Sequence, residues 1–103
     1  MTEFSLFYVT CPNKEIAAKI GHELLRRKLI ACTNILPAMS SQYWWEGQIH
    51  TAEEAVLILK GLSANKAAAE AILKKLHPSE NPCFLQIEIT DGSEQYLNWM
   101  RSI

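Results

Sequence analysis

At 103 residues, 49% hydrophobic and 20% charged, the chain is sized for one globular domain over residues 1–103, long enough to bury a core. A formal net charge of -1 denies it the basic field that binding nucleic acid requires, and its uncharged apolar runs are too short to span a bilayer as a helix. The start of the chain lacks the basic flank and small-residue cleavage site of a signal peptide, so a cytoplasmic protein with no membrane partner is expected.

Residues 4–10 read as a strand with apolar groups on both faces, Phe4, Leu6 and Tyr8 on one and Phe7 and Val9 on the other. Asn13 is placed to cap a helix running to about Lys28, with Ile16, Ala17, Ile20 and Leu24 as its buried stripe. A second strand is expected over residues 31–45. Pro37 in its middle has no amide donor, which places the strand at a sheet edge or breaks it with a bulge. Glu46 and Gly47 turn the chain into a third strand over residues 48–60, making a long hairpin. Tyr43 and Trp45 then point to one face and Trp44 to the other, more ring surface than one short chain can cover.

Ser63 is placed to cap a second helix to Leu76, with Ala67, Ala68, Ala71, Ile72 and Leu76 facing inward. The helix ends at His77-Pro78, because a residue before proline is pushed out of the helical region. After a loop over residues 79–82, Cys83, Leu85, Ile87 and Ile89 alternate with polar residues as a half-buried fourth strand. Asp91 and Gly92 turn the chain, and Ser93 caps a final helix carrying Tyr96, Leu97 and Met100. The order is that of an α+β, ferredoxin-like βαββαβ sandwich with a long β2-β3 hairpin and a C-terminal helix. Its sheet has one face without helices, and apolar residues point there, so copies of the chain are expected to cover that face.

Cys11, Cys32 and Cys83 are odd in number and lack C-x-x-C spacing, which argues against a disulfide scaffold. Cys32 and Cys83 read as buried strand residues and Cys11, before Pro12, as partly exposed. No nucleophile with a base, phosphate-cradling glycine loop or carboxylate dyad stands out, so no catalytic residue is assigned and a non-enzymatic protein is expected.

The motifs A-C-T-N-I-L-P, S-x-Y-W-W-E-G-Q-I, Glu54 before V-L-I-L-K, H-P-x-E-x-P and Y-L-N-W resemble, in order and spacing, the CutA divalent-cation tolerance proteins. That resemblance implies a homotrimer similar to the PII signalling proteins, in which hairpins reach across to neighbouring subunits. Asn34, Pro37, Tyr43, Trp44 and Trp45 then belong to the trimer interface. It also implies a role in tolerance to copper and other divalent cations, with copper or another divalent cation as the candidate ligand. The family loop usually reads H-P-Y-E-V-P-E, and this chain carries Ser79, Asn81 and Cys83 in place of the tyrosine, valine and second glutamate. Where some copper-binding members carry a cysteine and a paired histidine, the aligned positions are Val9 and Leu76, leaving His77, with Cys11 two residues from the expected place.

His77 and Cys11 are therefore the candidate metal ligands, since a transition-metal site needs converging nitrogen, sulfur or oxygen donors. The alternative function is a PII-like sensor or regulatory scaffold with an inter-subunit cleft for a small molecule, formed by Lys60, Glu54, Glu80, Tyr43, Trp45 and His77. Glu54 and Lys60 share a strand face but stand about 20 Å apart along it, so they cannot pair within one chain.

Overall fold

The computed structural model describes residues 2–103. The elements run β1 (Phe4–Cys11), α1 (Lys14–Arg26), β2 (Cys32–Trp45), β3 (Gln48–Leu62), a 3-10 turn (Ser63–Asn65), α2 (Lys66–Leu76), β4 (Phe84–Ile89) and α3 (Glu94–Arg101). The four strands form one antiparallel sheet in the order β2-β3-β1-β4, the ferredoxin-like arrangement.

Alternation along β1 builds the core. Phe7, Val9 and Cys11 lie opposite Leu59, Leu57 and Ala55 of β3, and all six are fully buried beneath the helices. Ala17, Ile20 and Leu24 of α1 and Ala69 and Leu73 of α2 close over them. Each large side chain so buried contributes about 1.5–3 kcal/mol. The buried hydroxyls of Ser5 and Ser63 satisfy one another at 2.5 Å, and Gln86 of β4 donates to Ser5 at 2.9 Å. Ser63 is thereby drawn away from the capping role expected of it: it opens the 3-10 turn, and α2 starts three residues later without a side-chain cap. The inward stripe of α2 is Ala69, Ile72, Leu73 and Leu76, whereas Ala67, Ala68 and Ala71 are exposed.

Asn13 caps α1 as expected, its Oδ1 accepting from the Ile16 amide at 2.9 Å. The helix ends at Arg26. Arg26 and Arg27 both reach back to Glu23, whose carboxyl they hold down at about 2. Lys28 then takes a left-handed conformation at φ 59°.

The β2-β3 hairpin outgrows the sheet. Pairing of β1 with β3 stops at Cys11 and Ala55, so residues 48–54 of β3 pair only with β2. The ladder slips between Leu36 and Met39, the bulge that Pro37 requires. Glu46 and Gly47, both at positive φ (50° and 77°), close the tip as a tight turn. The result is a projecting arm on a molecule measuring 44 × 25 × 23 Å.

The helix-free face is apolar, as the two-sided strands predict. Leu36, Leu85 and Ile87 stand on it at 55%, 58% and 53% exposure, so the apolar side of β4 faces away from the helices. α3 covers only one end, where Met100 is buried, Tyr96 lies against Lys60, and Arg101 sits over the Phe4 ring while gripping Glu3 at 2.7 Å.

Candidate functional site

The arm and the loop after α2 enclose a groove of about 700 Å³ at the end of β1. Residues 41–45 form one wall, Ser79, Asn81, Pro82 and Cys83 form the other, and Thr10, Glu54, His77, Phe84 and Leu85 complete it. Glu54 gets there by strand alternation: it lies opposite Met39 of β2, on the same face of β3 as Val56 and Ile58.

His77 holds the loop wall in place. Leaving the helix in an extended conformation (φ -78°, ψ 133°), it brings Nε2 to 2.7 Å from the carbonyl oxygen of Thr10, while Nδ1 accepts the Ser79 amide at 3.0 Å. An amide donor facing Nδ1 requires a lone pair there, and a carbonyl facing Nε2 requires a proton there. His77 is therefore the neutral Nε2–H tautomer, with both nitrogens used by the backbone. Ser79 in turn accepts the Asn81 amide at 3.1 Å, folding the loop on itself.

Such a histidine has no lone pair left for an ion. Cys11 is no better placed, because it follows Phe7 and Val9 into the core and is fully buried, not partly exposed. Burial pushes its thiol up from 9.0 to about 11, with the negative charge of Glu54 adding to the shift. His77 and Cys11 as folded do not fit copper or another divalent cation, and among the described residues no group of three or more His, Cys, Asp or Glu is arranged to hold one. Cys83, expected to be buried, lies half-buried in the groove wall, its thiol also raised by burial. Cys32 is half-buried as well, and all three cysteines are free.

The expected cleft residues divide. Glu54, His77, Tyr43 and Trp45 meet in the groove. Lys60 lies at the far end of the same strand face, its Nζ 5.3 Å from the centre of the Tyr96 ring. Its pKa is raised chiefly by the Tyr96 side chain, against partial burial. Glu80 is exposed on the loop outside the groove. Of the expected interface residues, Asn34 lies exposed on the helix-free face opposite Ile58, and Pro37 is exposed at the bulge. Tyr43, Trp44 and Trp45 are 43%, 71% and 38% exposed. The Tyr43 ring stacks on exposed His50 across the hairpin at 6.0 Å. Ser41, Gln42, Thr10 and Phe84 were not legible as site residues, because only the approach of the arm to β4 brings them together.

These features define a ferredoxin-like α+β domain with a protruding aromatic arm and a groove at the arm's root. The chain belongs to the CutA1 divalent ion tolerance protein family, whose model matches residues 5–103. It is 38% identical over 96 residues to the divalent-cation tolerance protein CutA of Archaeoglobus fulgidus, covering 93% of each chain. It is 35% identical over 99 residues to a CutA homolog of Xenopus laevis, covering 96% of this chain but 66% of that protein. Its fold superimposes on the crystal structure of CutA1 from Oryza sativa with a TM-score of 0.94 at 34% identity, covering 98% of this chain and 93% of that one.

Proposed function

We propose that the chain acts in divalent-cation tolerance as a non-enzymatic homotrimer in the cytoplasm. The observation that carries this is the uncovered apolar surface: Leu36, Ile49, Leu85 and Ile87 are more than half exposed, and Trp44 is 71% exposed. Patches of this kind on a chain this small mark an interface, and the arm extends beyond its own sheet as a strand pair able to lie against a neighbour. Three free cysteines accord with a reducing compartment. Contact with copper or another divalent cation is weak and opportunistic, made without the His77 and Cys11 pair. Analytical ultracentrifugation at micromolar concentration tests the assembly, and calorimetry with copper(I), copper(II) and zinc tests the metal contact. A monomer refutes the first, and a tight stoichiometric site refutes the second.

A second reading rests on the groove. Its volume lies within the range of small-molecule sites, and its lining combines aromatic walls with a few fixed polar groups. On this reading the trimer is a sensor or regulatory scaffold similar to the PII proteins, with the groove placed where subunits meet. A thermal-shift screen of metabolites in metal-free buffer tests it, a raised melting temperature being the supporting result.

A further inference from the structure

The formal net charge of -1 conceals a segregation of charge between the two sides of the molecule. Eight of the ten lysines and arginines lie on the layer formed by α1, the residues that end it, and α2: five from Lys14 to Lys28 and three from Lys66 to Lys75. All eight are exposed. Three of the eleven carboxylates, Glu15, Glu23 and Glu70, share that layer, so it carries five surplus positive charges while the rest of the chain carries six surplus negative ones. Glu23 is spent on Arg26 and Arg27, and Glu70 on Lys66 and Lys74. Lys14, Lys19, Lys28 and Lys75 have no ion-pair partner among the described residues. These two helices cover the side of the sheet opposite its bare apolar face. Their outer surface therefore stays open to solvent in a monomer and equally in a trimer joined through that face and the arm.

The positive charge gathers at both ends of the layer. The bond from His77 to Thr10 brings the end of α2, with Lys74 and Lys75, to the end of β1 where Lys14 opens α1. At the other end the Ser63 amide bonds to Glu3, and Ile30 packs on Gly61, which sets Lys66 and the run Arg26 to Lys28 together. Between them α2 presents Ala67, Ala68 and Ala71 to solvent, side chains that let another backbone come close. None of the large exposed apolar residues lies on this layer. It thus lacks the bulky groups that a helix inserts into a membrane and the rings on which single-stranded nucleic acid stacks. Glu15, Glu23 and Glu70 would repel an evenly spaced row of phosphates, whereas a protein can place its carboxylates to miss them. We infer that the α1-α2 layer is a docking surface for an acidic helical segment of a partner protein, which lies along α2 over the alanines with its carboxylates against the lysines at either end.

The test uses the full-length protein in its native assembly and a synthetic helical peptide of alanine, leucine and glutamate, about 20 residues long, with glutamates along one face. Its comparators are the same peptide with glutamine for glutamate, vesicles of phosphatidylglycerol, and a short DNA duplex, the last two matched to it in total negative charge. Calorimetry should show saturable binding of the glutamate peptide at about 50 mM salt, with the three comparators weaker by about tenfold or more. Lys74→Gln combined with Lys75→Gln should weaken the peptide by about tenfold, and so should Ala68→Tyr, which puts a ring in the way of the partner backbone. Arg101→Gln removes a cation from α3, outside the layer, and should leave the affinity unchanged. Circular dichroism checks that each variant is folded, and for one that is not, the comparison of probes on the wild-type protein decides. Equal binding of the glutamine peptide, or no binding of the glutamate peptide, overturns the docking surface. Equal or tighter binding of the vesicles or the duplex overturns the choice of a protein partner, and an unchanged affinity in folded Ala68→Tyr overturns the seat on α2. None of these outcomes bears on the sensor reading, because the groove and this layer share no residue.

Discussion

His77 Nε2 lies 2.7 Å from the carbonyl oxygen of Thr10, a residue 67 positions earlier in the chain, and this bond ties the end of α2 to the end of β1. With the Ser79 amide on Nδ1, it makes His77 a clasp that shapes one wall of the groove. His77→Ala removes both bonds and leaves a part-buried carbonyl unpaired, a loss of about 1–3 kcal/mol. Hydrogen exchange should show the Ser79 amide losing protection while the core strands keep theirs. Copper affinity should be the same in His77→Ala as in wild type, and a clear drop on calorimetry would restore His77 as a ligand.

Cys11 gives the protein a pH dependence at the alkaline end. Its thiol is pushed up from 9.0 to about 11 in the fold, so the folded protein holds this proton more tightly than the unfolded chain does. The resulting stability is complete below about pH 9 and is lost as pH rises through about 11. Urea midpoints for wild type and Cys11→Ala should therefore run parallel below pH 9, and only the wild type should show the extra alkaline decline. In the native state an alkylating reagent at pH 8 should label Cys32 and Cys83 while sparing Cys11, which mass spectrometry of the labelled peptides resolves.

Leu73 is the anchor of α2 in the core, fully buried beside Ala69. Leu73→Ala should cost about 2–5 kcal/mol, the range for emptying a packed leucine site. Ala68→Ser, on the exposed side of the same helix, should cost under about 1 kcal/mol. Chemical denaturation of the two variants measures both, and similar losses would contradict the helix register.

That register also shows where sequence reading stops. Four alanines crowd the first turns of α2, and small apolar residues fit either face, so periodicity pointed to Ala67, Ala68 and Ala71 when Leu73 was the true guide. The burial of Cys11 was legible in principle, since it stands two and four residues after Val9 and Phe7 on one strand face. Its place before Pro12 masked that parity. The hairpin, its Glu46-Gly47 turn and the disruption at Pro37 followed from local chemistry, and the structure has all three.

The groove was legible only in part. Tyr43, Trp45, Glu54 and His77 carry visible signals, yet nothing local says that Lys60 ends beside Tyr96 or that Glu80 points to solvent. The clasp was not legible either, because both acceptor and donor for His77 are backbone atoms, one of them fixed only once β1 and α2 pack together. Alternation in β4 revealed two faces but not which one the helices cover, and that choice exposes Leu85 and Ile87.

The assembly rests on the arm. Trp44 is the most exposed of the three consecutive rings, and across the hairpin it faces Ile49, itself 63% exposed. If neighbours bury these two side chains, Trp44→Ser should weaken the oligomer without unfolding the subunit, since neither belongs to the core. Sedimentation velocity should then show a lighter species and circular dichroism an unchanged spectrum.

The most direct measurement is the solution mass of the wild-type protein, by light scattering on a size-exclusion column at micromolar concentration. A single peak at three chain masses, with blue-shifted indole emission reporting a dry arm, is the predicted result. A stable peak at one chain mass with water-exposed indoles would contradict the account, because it would mean that the apolar face and the arm need no covering.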